Sequence, residues 1–298
     1  MSTTRRFFLT LLGAAAVSAP TRALADRVRV LPEGGPPPPW PGQRSPELAA
    51  ALGGLSLGAA ASQGGLAVLW LHAKDAGGGA PLEILTLDES RARGTLVVTE
   101  RADARVPDLI AENRGKVHVL LLAGEILIGG KQNRVLREDL LLPPGSGPRN
   151  ISVYCVEQGR WNAGRKDFES RGSVVQPSVR SQVLRKAEQS RIWSGVAAAA
   201  RDLNAPSQTG SYQAIYDKPD LRAHLEQTIR GFDPSGAAGA AVFVGPSLAG
   251  VDVFHDPDLF RREWPKLLRA YALDGYRAAP GAWDKAAGRA RAEGLLRA

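Results

Sequence analysis

Cysteine is almost absent: Cys155 is the only one in 298 residues. A single thiol cannot close an intramolecular disulfide, so stability has to come from core packing. Basic residues are scattered, with no Lys/Arg block and no arginine–aromatic interleaving, which argues against a nucleic-acid partner. Long apolar runs are missing too. The stretch 7–17 is apolar, but it falls well short of the roughly 20 residues needed to span a bilayer.

What is present begins with that stretch. Thr4-Arg5-Arg6-Phe7-Phe8-Leu9 places paired arginines directly before it, and Arg22 with Ala23-Leu24-Ala25 closes it with a small-x-small cleavage pattern. Residues 1–25 therefore read as a twin-arginine signal peptide, with the mature chain starting near Asp26 in the periplasm or another extracytoplasmic space. No stop-transfer pattern follows, so no transmembrane span is expected after cleavage. Cleavage removes Arg5, Arg6 and Arg22 and no acid, lowering the formal charge from +8 to +5. Residues 26–47 form a linker. Its run Pro36-Pro37-Pro38-Pro39-Trp40-Pro41 lacks ladder donors and favours polyproline II.

Residues 48–298 read as one α+β domain with a possible sub-boundary near 173. Short apolar or β-branched runs at 66–71, 82–87, 95–99, 117–122, 139–142 and 151–156 alternate with Gly, Pro, Asp and Asn, predicting mostly antiparallel strands. Residues 88–92 predict one helical turn. Beyond Gln176 the period changes to a helix over 178–203 and another over 219–232. Strands at 240–244 and 251–254 follow, then a helix from Asp256 with Phe260, Trp264, Leu267, Leu268 and Tyr271 on one stripe. Strands first and helices later is an α+β order.

Two segments can carry chemistry. In Gly124-Glu125-Ile126-Leu127-Ile128-Gly129-Gly130-Lys131-Gln132-Asn133-Arg134, paired glycines admit positive φ and close approach of a ligand, while Lys131 and Arg134 add charge. A hairpin turn with a polar return strand explains the same residues, and the Walker spacing is absent. In Cys155-Val156-Glu157-Gln158-Gly159-Arg160-Trp161, Glu157 can accept a proton, Arg160 can hold an anion and Trp161 can stack. A strand-end ion pair explains these equally well. Cys155 on an apolar strand without a nearby His favours packing over nucleophilic chemistry. Asp252, His255, Asp256 and Asp258 invite a metal reading, but Asp256-Pro257-Asp258 is also what a helix start requires.

Taken together, Leu87-Asp88-Glu89, the 124–134 block, the 155–161 block and the Thr209-Gly210-Ser211-Tyr212 turn resemble a bacterial family. It is named for its association with ADP-ribosylglycohydrolases and rhodanese-like phosphatases. The resemblance covers roughly 48–272 and implies a role near NAD or ADP-ribose chemistry. It also gives weight to Glu125, Lys131, Gln132, Asn133, Arg134, Glu157, Arg160 and Trp161 as site positions. The expectation is a polar cleft between the two blocks for a phosphate-bearing or otherwise anionic small molecule, ADP-ribose-like ones included. Glu125 and Glu157 would be its acid–base pair. Lys131, Arg134 and Arg160 would hold the anion, Gln132 and Asn133 would orient it, and Trp161 would stack. The competing expectation is a non-catalytic domain with a buried charge network. The sequence names no cofactor, assigns no metal ligands and leaves the oligomeric state open.

Overall fold

The computed structural model describes residues 8–11, 46–74, 82–101, 107–161, 166–281 and 283–297. Apart from 8–11 and 46–47, the expected signal peptide and proline linker lie outside them. The fold is α+β, and the described residues gather into two compact units: 1–81, 234–261 and 279–298 form one, 82–233 and 262–278 the other. Residue 173 lies inside the second.

The first unit is built on an antiparallel five-stranded sheet. Its strands are β1 (Phe8–Leu11), β2 (Leu55–Gln63), β3 (Leu66–Ala73), β13 (Gly239–Val244) and β14 (Ser247–Phe254), in the order β1-β14-β13-β3-β2. Helices α1 (Pro46–Gly53) and α8 (Lys285–Arg297) complete it, with Leu52, Leu69, Phe243, Val251 and Ala292 in its core. Strand β2 escapes the apolar alternation because Gly58, Ala59, Ala60 and Ala61 dilute it.

The second unit contains two sheets. Strands β4 (Ile84–Thr86), β7 (His118–Leu121) and β10 (Leu140–Leu142) form one, with β4 parallel to β7. The other runs β12-β8-β9-β11-β6-β5, all antiparallel. Its members are β5 (Leu96–Glu100), β6 (Asp108–Asn113), β8 (Glu125–Gly129), β9 (Arg134–Leu136), β11 (Gly147–Cys155) and β12 (Phe168–Val174). The predicted helical turn is α2 (Leu87–Ala92), started by a capping box in which Thr86 and Glu89 satisfy each other's backbone N–H groups.

The single helix predicted over 178–203 is in fact two, α3 (Pro177–Leu184) and α4 (Gln189–Asp202). Lys186 adopts φ +52°, with Ala187 N donating to Gln182 O and Lys186 N to Val183 O. This is a Schellman closure, and because lysine occupies the position glycine usually takes, the break left no sequence signal. Helix α4 then contributes Gln189, whose side chain bonds both the N–H and the C=O of Cys155 at 2.9 Å. Helices α5 (Gln213–Asp217) and α6 (Pro219–Ile229) follow.

Helix α7 (Pro257–Gly275) starts as the Asp256-Pro257-Asp258 pattern requires: Asp256 Oδ1 accepts the Asp258 N–H at 2.9 Å. Its residues from Arg262 onward belong to the second unit, where Trp264 Nε1 donates to Phe232 O at 3.1 Å. Among the described residues no helix is long and apolar enough to cross a membrane.

Candidate functional site

The 124–134 block folds as a β8–β9 hairpin, Ile126 facing Val135 and Leu127 facing Arg134. At its turn, Gly129 (φ +143°) and Gly130 (φ +49°) put their carbonyls where a guanidinium can reach them. Arg160 takes that place. It donates to Gly130 O (2.8 Å), Gly129 O (3.2 Å), Asn133 Oδ1 (2.9 Å) and Glu157 Oε2 (2.8 Å). Glu157 also accepts from Asn133 N at 3.1 Å and from Thr209 Oγ1 at 2.7 Å, so both its oxygens are occupied. Burial raises the Glu157 pKa, but Arg160, Thr209 and the Asn133 N–H outweigh it and hold the group below its ordinary value. The Thr209–Tyr212 turn is tied in through Asn133 Nδ2 donating to Ser211 Oγ and Tyr212 N donating to Val156 O.

The rest of the expected cleft is equally engaged. Gln132 Nε2 donates to Gln158 O, and buried Arg134 donates to Gln132 O and Oε1 and pairs with Glu100 at 3.7 Å. Trp161 is 55% exposed, and the Lys131 ammonium lies 5.1 Å from its ring centroid. Cys155 is fully buried, and burial pushes its thiol pKa up. This network binds the hairpin, the end of β11 and the 209–212 turn to one another.

Glu125 stands apart from it. It begins β8, while the Arg160 network grips the end of the same strand, about 13 Å away at the usual rise. Gly124 (φ +92°) precedes it because a side chain there would strike Arg180. Glu125 Oε2 accepts the Leu122 N–H at 2.6 Å, closing the turn, and Oε1 meets Lys266 Nζ.

Lys266 comes from α7, and sequence reasoning had passed it over. It is 4% exposed, and its ammonium sits among three carboxylates: Glu125, Asp88 at 2.9 Å and Glu263 at 2.7 Å. Burial opposes the Lys266 charge, but these carboxylates prevail and hold its pKa well above the ordinary value. Three acids around one base cannot all ionise cheaply. Burial, opposed by Lys266 and reinforced by Glu263 and Asp88, pushes Glu125 up to about 8. Burial likewise raises Glu263, whose Oε1 has no hydrogen-bond partner among the described residues. Both Glu125 and Glu263 are thus biased toward their protonated forms. Asp88 goes the other way: burial raises it, but Lys266, Ser170 Oγ (2.5 Å) and the Gly172 N–H pull it below its ordinary value.

This cluster opens onto a cavity of about 550 Å³. Among the described residues five cations line it, Arg91, Arg171, Arg262, Lys266 and Arg269, against two carboxylates, Asp88 and Glu169. Arg171 pairs with Glu169 of the same lining at 3.2 Å, and the other three arginines have acceptors outside it. Arg262 donates to Glu89 at 2.6 Å, Arg269 to Glu226 at 2.9 Å and Arg91 to Leu96 O at 2.7 Å. Two signals for this site were visible in the sequence. Leu87-Asp88-Glu89 belonged to the recognised pattern, and Glu263 with Lys266 placed charges three residues apart within the stripe running from Phe260 to Leu267.

Neither a curated protein nor a solved structure matches the chain. A family model described as ARG and Rhodanese-Phosphatase-superfamily-associated Protein domain does match, over residues 54–298. That span takes in the hairpin network, the lysine–carboxylate cluster and the cavity alike, and the chain belongs to this family.

Proposed function

We propose that the protein is exported and that it binds a phosphate-bearing small molecule in the cavity beside Lys266. The observation carrying this reading is the lining itself. Four arginines and a lysine converge on one concave space whose volume suits a small ligand. Guanidinium forks match phosphate oxygens in pairs, and surface ion pairs as weak as Arg269–Glu226 can exchange partners at little cost.

The acid–base centre moves with the site, from Glu125 and Glu157 to Glu125 and Asp88. Asp88 is ionised and open to the cavity, while the buried Glu125 and Glu263 are biased toward their protonated forms one ammonium away. Carboxyl groups whose surroundings drive their pKa values apart are the arrangement that hydrolysis or group transfer needs. Binding without turnover is the second reading, favoured by one observation: Lys266 is already saturated by three carboxylates.

Thermal unfolding of the mature chain with ADP-ribose, other phosphorylated ligands and their unphosphorylated counterparts tests the binding. A ligand at a hundred times its Kd is expected to stabilise by about 2.7 kcal/mol. Arg269→Ala with Arg171→Ala should abolish the shift while leaving the unliganded Tm within a few degrees. No shift with any phosphorylated ligand would refute the site. Release of phosphate or of a sugar by the unmodified chain, but not by Asp88→Asn, would separate catalysis from binding.

A further inference from the structure

We infer that the ligand is a compact phosphorylated sugar or polyol, held by charge and hydrogen bonds with no aromatic base stacked beside it. This rests on the anion-binding reading above and narrows it.

Among the described residues the lining has no aromatic side chain; Ala92 and Pro265 are its apolar members. A nucleobase gains affinity by stacking on an aromatic face, and among the described residues of this lining it would find none. The exposed aromatic that sequence reasoning had reserved for stacking, Trp161, is not among the lining residues and pairs with Lys131 instead. The carboxylates are informative as well. Asp88 and Glu169 would repel a ligand that was phosphate alone, yet each accepts hydrogen bonds from hydroxyls. Glu169 pairs with Arg171 at 3.2 Å and Asp88 accepts from Ser170 and Lys266, but with side chains 37% and 36% exposed each carboxylate can accept a further hydroxyl from the solvent side. Ser170, already donating to Asp88 Oδ1, adds a hydroxyl between them. Cations for a phosphate and acceptors for a row of hydroxyls, without a flat apolar wall, describe a sugar phosphate better than a nucleotide.

Isothermal titration of the mature chain with ribose 5-phosphate, ribose, inorganic phosphate, adenosine and ADP-ribose tests this. Ribose 5-phosphate should bind at least about tenfold more tightly than ribose or inorganic phosphate, and ADP-ribose no more than about threefold more tightly than ribose 5-phosphate. Glu169→Gln should weaken ribose 5-phosphate severalfold and leave inorganic phosphate unweakened. ADP-ribose binding more than about tenfold tighter than ribose 5-phosphate, or adenosine binding alone, would overturn the inference and leave the anion site standing. Inorganic phosphate matching ribose 5-phosphate would overturn the hydroxyl readout in the same way. If no phosphorylated ligand binds, the anion site itself falls, and this inference with it.

Discussion

Glu125 shows how much one residue's neighbours matter. The sequence singled it out as an acid–base candidate beside Glu157, whereas in the fold its charged neighbours Glu263 and Lys266 arrive from a helix 138 to 141 positions further on. Spacing arguments see along the chain, and this contact is made across it. The pairing sets a pH dependence whose sign can be worked out. Between the ordinary carboxyl value of 4.5 and about 8, the folded state holds a proton the unfolded state has released. Stability should therefore fall as pH rises through that window, by up to about 1.4 kcal/mol per unit. Urea titrations at pH 5, 6.5 and 8 should show this decline, and Glu125→Gln should flatten it; a wild-type curve that rises across the window would contradict the assignment. Asp88 and Glu157, both lowered, act oppositely: their contribution is present above the ordinary values and lost as pH falls through their folded ones. Lys266→Met leaves the buried Glu125 and Glu263, and the part-exposed Asp88, without their cation. It should cost about 3–5 kcal/mol by chemical denaturation, and adding Glu125→Gln should recover part of the loss.

At the level of elements, legibility followed burial pattern. Strands with continuous apolar runs, such as β3, β7 and β11, stood out, and so did the 219–232 helix. Strand β12 did not, because Glu169-Ser170-Arg171-Gly172-Ser173 reads as a loop. It forms a strand because β8 supplies a partner, with a register shift between Ser170 and Val174. The same irregular strand brings Glu169, Ser170 and Arg171 to the cavity, so the least strand-like sequence supplies much of the site. The α3–α4 break was hidden for the opposite reason, a lysine in a glycine's conformation. Lys186→Gly should accordingly stabilise the fold by about 0.5–1 kcal/mol in equilibrium unfolding. An unchanged or lowered midpoint would mean that the Lys186 side chain contributes packing which outweighs its backbone strain.

For the whole chain, the proposed export would set the conditions under which this chemistry operates. Arg5→Lys with Arg6→Lys should trap the precursor in the cytoplasm, as fractionation and immunoblotting would show; normal export of that variant would require another route. Composition alone made one molecular property legible, the absence of any internal disulfide, while the division into two units was not legible, since the first is assembled from three separated segments. The glutamine that bonds Cys155 has a consequence at this scale. Beyond the described β11–β6 pairing, Val153 N finds Pro107 O, and two residues later on the same side of the strand the Gln189 amide takes both backbone groups of Cys155. One side chain there imitates a peptide unit of a neighbouring strand. It stops up a strip of backbone that would otherwise be a template for a second chain, which guards the molecule against sticking to its own copies.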